Sequence, residues 1–449
     1  MSPPKPPPRA ASRRLLRLLK RYECRNTTFV DPDGSWPLVW VKARDCEVWD
    51  ADGRRYLDLT AAFSVAAAGH ANPAVVAAAQ EQLARLPHAM GDVHPHPLKG
   101  ELARTLSRLT FERWSRSRAD GPMRGKTLFG NSGFEAVEAA LKTALLASGR
   151  PGVIAFEKAY HGLGYGALNA THGKLFRSPF RRQLREFADF APFPTRREEL
   201  DRALDRVQTL LACGDAGAVL VEPIQGRGGI RVPPAGFLRE LRRLCDERGA
   251  LLVVDEIYTG FGRTGRWFAC EEEAVTPDLI CLGKALTGGF PLSACVGRAE
   301  VMDAAWPESD GEAIHTSTFL GHPVGCAMAL AQIEEIRRRR LPARSRRLGK
   351  RLKTRLERLV APPGLALEVR GRGLMVGVEL RTESGAPAGG AAVRLVKAML
   401  RRGRILLPEG EAGETIAFTP PLTIEQSALD SACDAFQEAL DELEAPPAA

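Results

Sequence analysis

Short, nearly unbroken apolar runs recur through the middle of this chain. Between them, apolar residues return every three to four positions. Lys126–Phe129, Val153–Phe156, Ala218–Ile224, Ala250–Ile257 and Leu279–Leu282 read as strands, Ala250–Ile257 as a buried one. Phe134–Ser148 reads as a helix, with Val137, Ala140, Leu141, Ala144 and Leu145 on one face and Gly149 behind it. Gly236–Arg248 is a second helix, with Leu238, Leu241 and Cys245 in register. Repeated strand–helix–strand units predict an α/β fold, a mostly parallel sheet with helices on both faces. The flanks differ. Glu47–Leu59 predicts a hairpin around Asp52-Gly53, and Pro73–Leu86 a helix. Gly364–Leu380 and Arg404–Pro421 suggest strands and Ile424–Leu443 a final amphipathic helix, so a smaller α+β domain begins near Pro323.

Composition narrows the class. The chain's 449 residues are enough for two domains, and 44% hydrophobic with 26% charged residues is a globular balance. Net charge is +9, but arginine is dispersed. The densest runs, Arg337–Arg340 and Arg344–Lys353, read as solvated helix faces, because Leu348, Leu352, Leu356 and Leu359 supply an apolar stripe. Without a zinc-finger or RNA-binding signature beside them, nucleic acid is not an expected partner. Nine scattered cysteines with no CxxC point to free thiols in a reducing compartment and to no metal site. No apolar run is long enough for a bilayer, and Met1–Arg21 lacks the apolar core of a secretion signal. A cytoplasmic protein without a membrane partner is therefore expected. Met1–Ala10, rich in proline, should be flexible, with a short basic helix after it.

The candidate chemistry sits where the apolar runs end. Asp255 closes Leu251-Leu-Val-Val, and Lys284 follows Leu279-Ile-Cys-Leu-Gly. A lysine can form a Schiff base with an aldehyde, and an aspartate can keep a pyridinium nitrogen protonated, which together would run pyridoxal phosphate. Read singly, Asp255 is equally a structural ion-pair partner and Lys284 a surface lysine. Asn131-Ser-Gly-Phe134 opens a helix and suits a phosphate, or is an ordinary cap. Tyr160, in Tyr160-His-Gly162, can stack on a planar ring, or simply sit in a turn. Glu222, in Glu222-Pro-Ile-Gln-Gly226, lies at a strand end. Ile257 shares the strand side of Asp255 and would face the ring opposite Tyr160.

Taken in order, these segments resemble the class III (ω-type) aminotransferases. Gly69-His-Ala-Asn-Pro73, Thr259-Gly-Phe-Gly-Arg-Thr-Gly265, His315–Pro323 and Pro420-Pro-Leu422 add to the match, which runs from about Trp40 to Leu422. The resemblance implies the fold-type I architecture of pyridoxal-phosphate enzymes, the aspartate-aminotransferase-like fold. It would divide the chain into a basic tail (1–25), an N-terminal segment packing with the small domain (26–75), a large cofactor-binding domain (76–322) and a small α+β domain (323–449). It implies transamination from an amino acid or amine donor to a 2-oxo acid through a Lys284 Schiff base. Asp255 would pair with the pyridine nitrogen, and Tyr160 and Ile257 would sandwich the ring. Ser132, Gly133 and the Phe134 amide would hold the phosphate, and Glu222 would sit near the ring. Thr318 would reach the phosphate from the other subunit of a homodimer with shared active sites. Phe63 would line the substrate pocket.

Departures from the family pattern concern the substrate. Phe134 stands where relatives often have Thr, Ser or Ala, leaving only its backbone contact. Tyr258 replaces a glutamine that touches the cofactor's phenolic oxygen. Many members that act with glutamate carry Arg at the position of Ala417, and several pair it with Glu at the position of Arg227. Arg227 then supplies a carboxylate contact from the other side, or the substrate lacks that carboxylate, or Arg227 points to solvent. Three rival functions are weighed. An aminomutase or racemase would share the scaffold, but Glu222–Gly226 and Thr318–Gly321 look more like transaminases. A nicotinamide oxidoreductase would rest only on Gly371-Arg-Gly373. A non-catalytic binding protein would not need Lys284 and Asp255 intact.

Overall fold

The apolar runs pair into one seven-stranded sheet in the computed structural model, which describes residues 10–32, 34–117 and 121–443. Its strands are β1 (Gly125–Gly130), β2 (Gly152–Phe156), β3 (Ala188–Ala191), β4 (Ala216–Val221), β5 (Leu251–Asp255), β6 (Leu279–Leu282) and β7 (Ser293–Arg298), in the order β1-β7-β6-β5-β4-β2-β3. β7 runs antiparallel to both neighbours and the other strands are parallel. The pattern reading does not include β3 or β7. β3 is four residues at the sheet edge with Asp189 exposed, and β7 is built from small residues and contains Gly297. β4 stops at Val221 rather than Ile224, since Pro223 has no N–H for the ladder.

Strand periodicity divides the core in two. Val219, Val221, Leu252, Val254, Ile280 and Leu282 pack with Phe237, Leu238, Leu241 and Leu244 of the helix Phe237–Arg248. Their neighbours Ala218, Leu220, Val253, Leu279 and Cys281 turn to the other face, against Val137, Ala140, Leu141 and Ala144 of α1 (Gly133–Ser148). Each large side chain so buried stabilises the fold by roughly 1.5–3 kcal/mol. α1 ends at Gly149, whose φ of 68° is the left-handed conformation that glycine adopts without strain.

A second sheet lies in the C-terminal part: β8 (Leu365–Arg372), β9 (Met375–Thr382), β10 (Leu407–Glu409) and β11 (Thr415–Phe418), antiparallel in the order β8-β9-β11-β10. The predicted hairpin forms from Glu47–Asp50 and Arg55–Asp58, and the latter pairs in parallel with Arg404–Ile405. The N-terminal strands thus share a sheet with the C-terminal region. Residues 1–9 of the stretch expected to be flexible lie outside the described residues, while Ala10 begins a basic helix, Ala10–Tyr22. Among the described residues, no helix is long and apolar enough to cross a membrane. All nine cysteines are unpaired and seven are buried.

Candidate functional site

The carboxyl ends of the parallel strands converge on one cavity, where open α/β sheets present side chains to ligands. It measures about 350 Å³ and is lined by Gly133 and Phe134 after β1, Tyr160 and His161 after β2, Glu222 and Arg227 after β4, Asp255, Ile257 and Tyr258 at and after β5, and Lys284 after β6. Larger surface hollows exist, such as one of about 650 Å³ under Arg347, Arg351 and Arg355, but neither Lys284 nor Asp255 lines them. The sequence-predicted residues Gly133, Phe134, Tyr160, Glu222, Arg227, Asp255, Ile257, Tyr258 and Lys284 are therefore brought together.

β5 and β6 are adjacent, with Asp255 opposite Cys281, which puts Asp255 and Lys284 side by side. Asp255 is buried and accepts from the Ile257 N–H at 3.0 Å, and its other oxygen lies 2.8 Å from His161 Nδ1. Lys284 adopts φ of 43°, a strained value for a residue with a side chain, and opens the short turn Lys284–Leu286, which meets the left-handed turn Ala61–Ser64. Burial drives its pKa down to about 8 against the opposing pull of Asp255, Glu222 and Glu409. Its ammonium lies 4.1 Å from the centre of the Tyr258 ring. Glu222, also buried, accepts from the Tyr160 and Gly226 N–H groups at 3.0 Å each, and desolvation lifts its pKa to about 7.

The other end of the cavity is built for an anion. Glu135 caps the amides of Asn131 and Ser132. The next amides, of Gly133 and Phe134, begin α1 and have no acceptor inside the helix. Beside them the Ser132 hydroxyl is buried with no hydrogen-bond partner. An orphaned hydroxyl at a helix N-terminus is what a phosphate oxygen would satisfy. The Phe134 side chain turns away beneath Gly162, where a Cβ would come 2.3 Å from the Phe134 Cβ at φ of +115°. Gly133 packs tightly on Ile257, and a Cβ there would lie 3.1 Å from Ile257 Cδ1. The residues present fit pyridoxal phosphate: an amine, a buried carboxylate, two ring-facing side chains and an open phosphate cradle.

Two residues of this site were not singled out from sequence. His161 was quoted only as part of Tyr160-His-Gly162, and a histidine following a strand beside a second strand-end acid was the available signal. Glu409 had none: it arrives from β10, far along the chain. It lies 3.1 Å from Arg227, its side chain 1% exposed against 40% for Arg227. Tyr258 is buried, and its ring rather than its hydroxyl faces Lys284. Ala417 is buried in an apolar cluster with Tyr258, Ile224, Ile230 and Met375. Thr318 lies in an exposed loop away from the cavity. Phe63 is half-exposed and lines a neighbouring cavity of about 230 Å³ with Trp36 and Trp40.

A family model described as Aminotransferase class-III matches residues 30–440. The acetylornithine aminotransferase of Methanopyrus kandleri is 39% identical over 90% of this chain and 95% of its own. The 2-aminoadipate transaminase of Pseudomonas putida is 36% identical over 91% of this chain and 96% of its own. Among solved structures, the ornithine aminotransferase from Toxoplasma gondii, with PLP partially occupying its active site, superposes with a TM-score of 0.81 at 28% identity, covering 95% of this chain and 93% of that one.

Proposed function

This chain belongs to the class-III aminotransferase family, and on that premise we propose which of its side chains carry the reaction. It has the fold of the PLP-dependent aminotransferases, and it is a pyridoxal-phosphate-dependent aminotransferase, moving an amino group from an amino donor to a 2-oxo acid. When bound, pyridoxal phosphate supplies a reactive aldehyde and an electron-withdrawing ring.

In our reading Lys284 Nζ is the reacting amine and the proton carrier. Its depressed pKa keeps enough neutral amine to take a proton from the substrate carbon beside nitrogen and to return it. Asp255 holds the proton on the ring nitrogen, and His161 holds Asp255. Tyr160 and Ile257 bound the two ring faces. The Ser132 hydroxyl and the amides of Gly133 and Phe134 receive the phosphate. Glu222 braces the Tyr160 backbone, and the Tyr258 ring supports Lys284. The observation that carries this assignment is that Lys284 and the buried Asp255 line one cavity.

We further propose a homodimer in which Thr318 completes the phosphate site of the other subunit. Ile314 and Phe319 on the same loop, with Met90 and Val93 nearby in the fold, are large exposed apolar residues that support such an interface. The division into 1–25, 26–75, 76–322 and 323–449 is retained, supported by the pairing of Leu57 with Arg404. Unpaired thiols support a cytoplasmic location.

The test is the visible spectrum of the purified holoenzyme against a panel of amino donors. A yellow band that bleaches with a donor and returns with a 2-oxo acid is expected, and Lys284→Ala should abolish turnover while remaining folded. Wild-type turnover in Lys284→Ala would sink the assignment.

A further inference from the structure

The helix Ala10–Tyr22 precedes residues 30–440, the part of the chain that matches the family. It carries Arg13, Arg14, Arg17, Lys20 and Arg21 and no acid. At about 100° per residue these cations fall within an arc of roughly 120°, and Leu15, Leu16, Leu18, Leu19 and Tyr22 within the opposite arc of roughly 160°. The first turn is fastened to the folded body. The Asp52 carboxylate accepts from the Ala11 N–H at 2.9 Å, from the Ser12 N–H at 3.2 Å and from the Ser12 hydroxyl at 2.5 Å. Beyond that turn the apolar face lies open: Leu18 is 48% exposed, Leu19 38% and Tyr22 73%.

A helix this short is marginal on its own, and packing of its apolar face normally supplies the missing stability. Three partners could cover the open part of that face. A nucleic acid would take the cations and leave the leucines in water. A second copy of the helix would bring five more cations up to the first five, with no acid in either helix to pair with them. An anionic lipid surface satisfies both faces at once. The leucines and Tyr22 enter the boundary between headgroups and acyl chains, and the long cationic side chains reach back to the headgroups. The helix has 13 residues, too few to span a bilayer but enough to lie in its surface. Contrary to the expectation of no membrane partner, we propose that Ala10–Tyr22 is a surface anchor that seats this enzyme on anionic lipid. Asp52 holds the start of the helix, so the apolar face is offered without any unfolding of the body behind it. Apolar burial and charge act together in such an anchor, and the charge contribution falls as salt rises.

The test is co-sedimentation of the full-length holoenzyme with two kinds of vesicle, phosphatidylcholine alone and phosphatidylcholine mixed with phosphatidylglycerol. Wild type should bind the mixed vesicles, leave them as salt rises, and ignore the neutral ones. Leu18→Glu/Leu19→Glu should lose the binding. Both side chains are exposed, so the fold and the turnover in solution should match wild type. Arg14→Gln/Arg17→Gln keeps the apolar face and should bind roughly 25-fold more weakly, at about fivefold per cation. Several results would overturn the anchor: no binding of wild type to mixed vesicles, equal binding to both kinds, undiminished binding by Leu18→Glu/Leu19→Glu, or displacement by a stoichiometric amount of duplex DNA. Sedimentation velocity without lipid addresses the second copy. If Leu18→Glu/Leu19→Glu gives a smaller particle than wild type, another protein chain covers this face and the proposal falls. A particle of unchanged mass leaves the face free for lipid, as the anchor requires.

Discussion

His161 Nδ1 stands 2.8 Å from the Asp255 carboxylate, and both side chains are buried, His161 in the loop after β2 and Asp255 at the end of β5, two strands away across β4. His161 Nε2 has no partner, so the ring is held through Asp255 alone. In the proposed reading His161 is a positioning residue: it would fix the carboxylate assigned to the ring nitrogen. Replacing His161 by Asn removes one hydrogen bond to a charged group, worth about 1.5–3 kcal/mol. The expected result is a kcat roughly 10–100-fold lower with a much smaller change in KM, and a shifted visible band. A wild-type kcat and band would show that Asp255 needs no such brace.

Lys284 without cofactor has its pKa lowered from 10.5 to about 8 by burial. The neutral amine is the reactive form, so the rate at which the cofactor-free protein takes up pyridoxal phosphate should rise about tenfold per pH unit up to the pKa and level off above it. Stopped-flow absorbance across a pH series reads this directly. A rise that continues toward pH 10 would mean Lys284 titrates like a surface lysine.

Gly162→Ala places a methyl group against the Phe134 Cβ at a φ of +115°. The strain is about 1–3 kcal/mol and falls on the first turn of α1, the proposed phosphate cradle. Weaker pyridoxal-phosphate affinity, measured by equilibrium dialysis, is expected alongside a lower Tm. Unchanged affinity would show that Phe134 yields without disturbing the cradle.

Glu256 is buried next to the site and accepts from Thr259 and from the Cys270 N–H at 2.8 Å, yet desolvation raises its pKa from 4.5 to about 7. Because its folded value lies above its unfolded one, the folded protein holds more protons between those limits. Its contribution to stability is fully present below about 4.5 and is lost as pH rises through about 7. Glu256→Gln, a neutral stand-in for the protonated acid, should flatten the fall of Tm with pH across that window. An equally steep fall in the variant would exclude Glu256 as its source.

Much of the site was legible because strand ends are visible in sequence. Asp255 and Lys284 close apolar runs, and the sheet order places those runs next to each other, so a linear pattern became a spatial one. Tyr160, Glu222 and the start of α1 follow from the same rule. Legibility failed where apolarity was weak or the chain distance long. β3 is short and half-exposed, and β7 is built from small residues, so neither stood out. Glu409 meets Arg227 only because β10 folds back from the C-terminal region, a relation no local periodicity contains. Phe63 was placed by resemblance, and within one chain it lines the neighbouring cavity instead.

The pairing of Leu57 with Arg404, like the hydrogen bond from the Thr419 N–H to the Leu59 carbonyl, joins segments some 350 residues apart. Contacts of such separation close late, because the intervening chain must first lose its freedom. The seven-stranded sheet, whose strands all lie between Gly125 and Arg298, can assemble while the later segments are still emerging from the ribosome. Glu409 and its strand arrive afterwards. The strand that brings Glu409 beside Arg227 is therefore made after both Lys284 and Asp255.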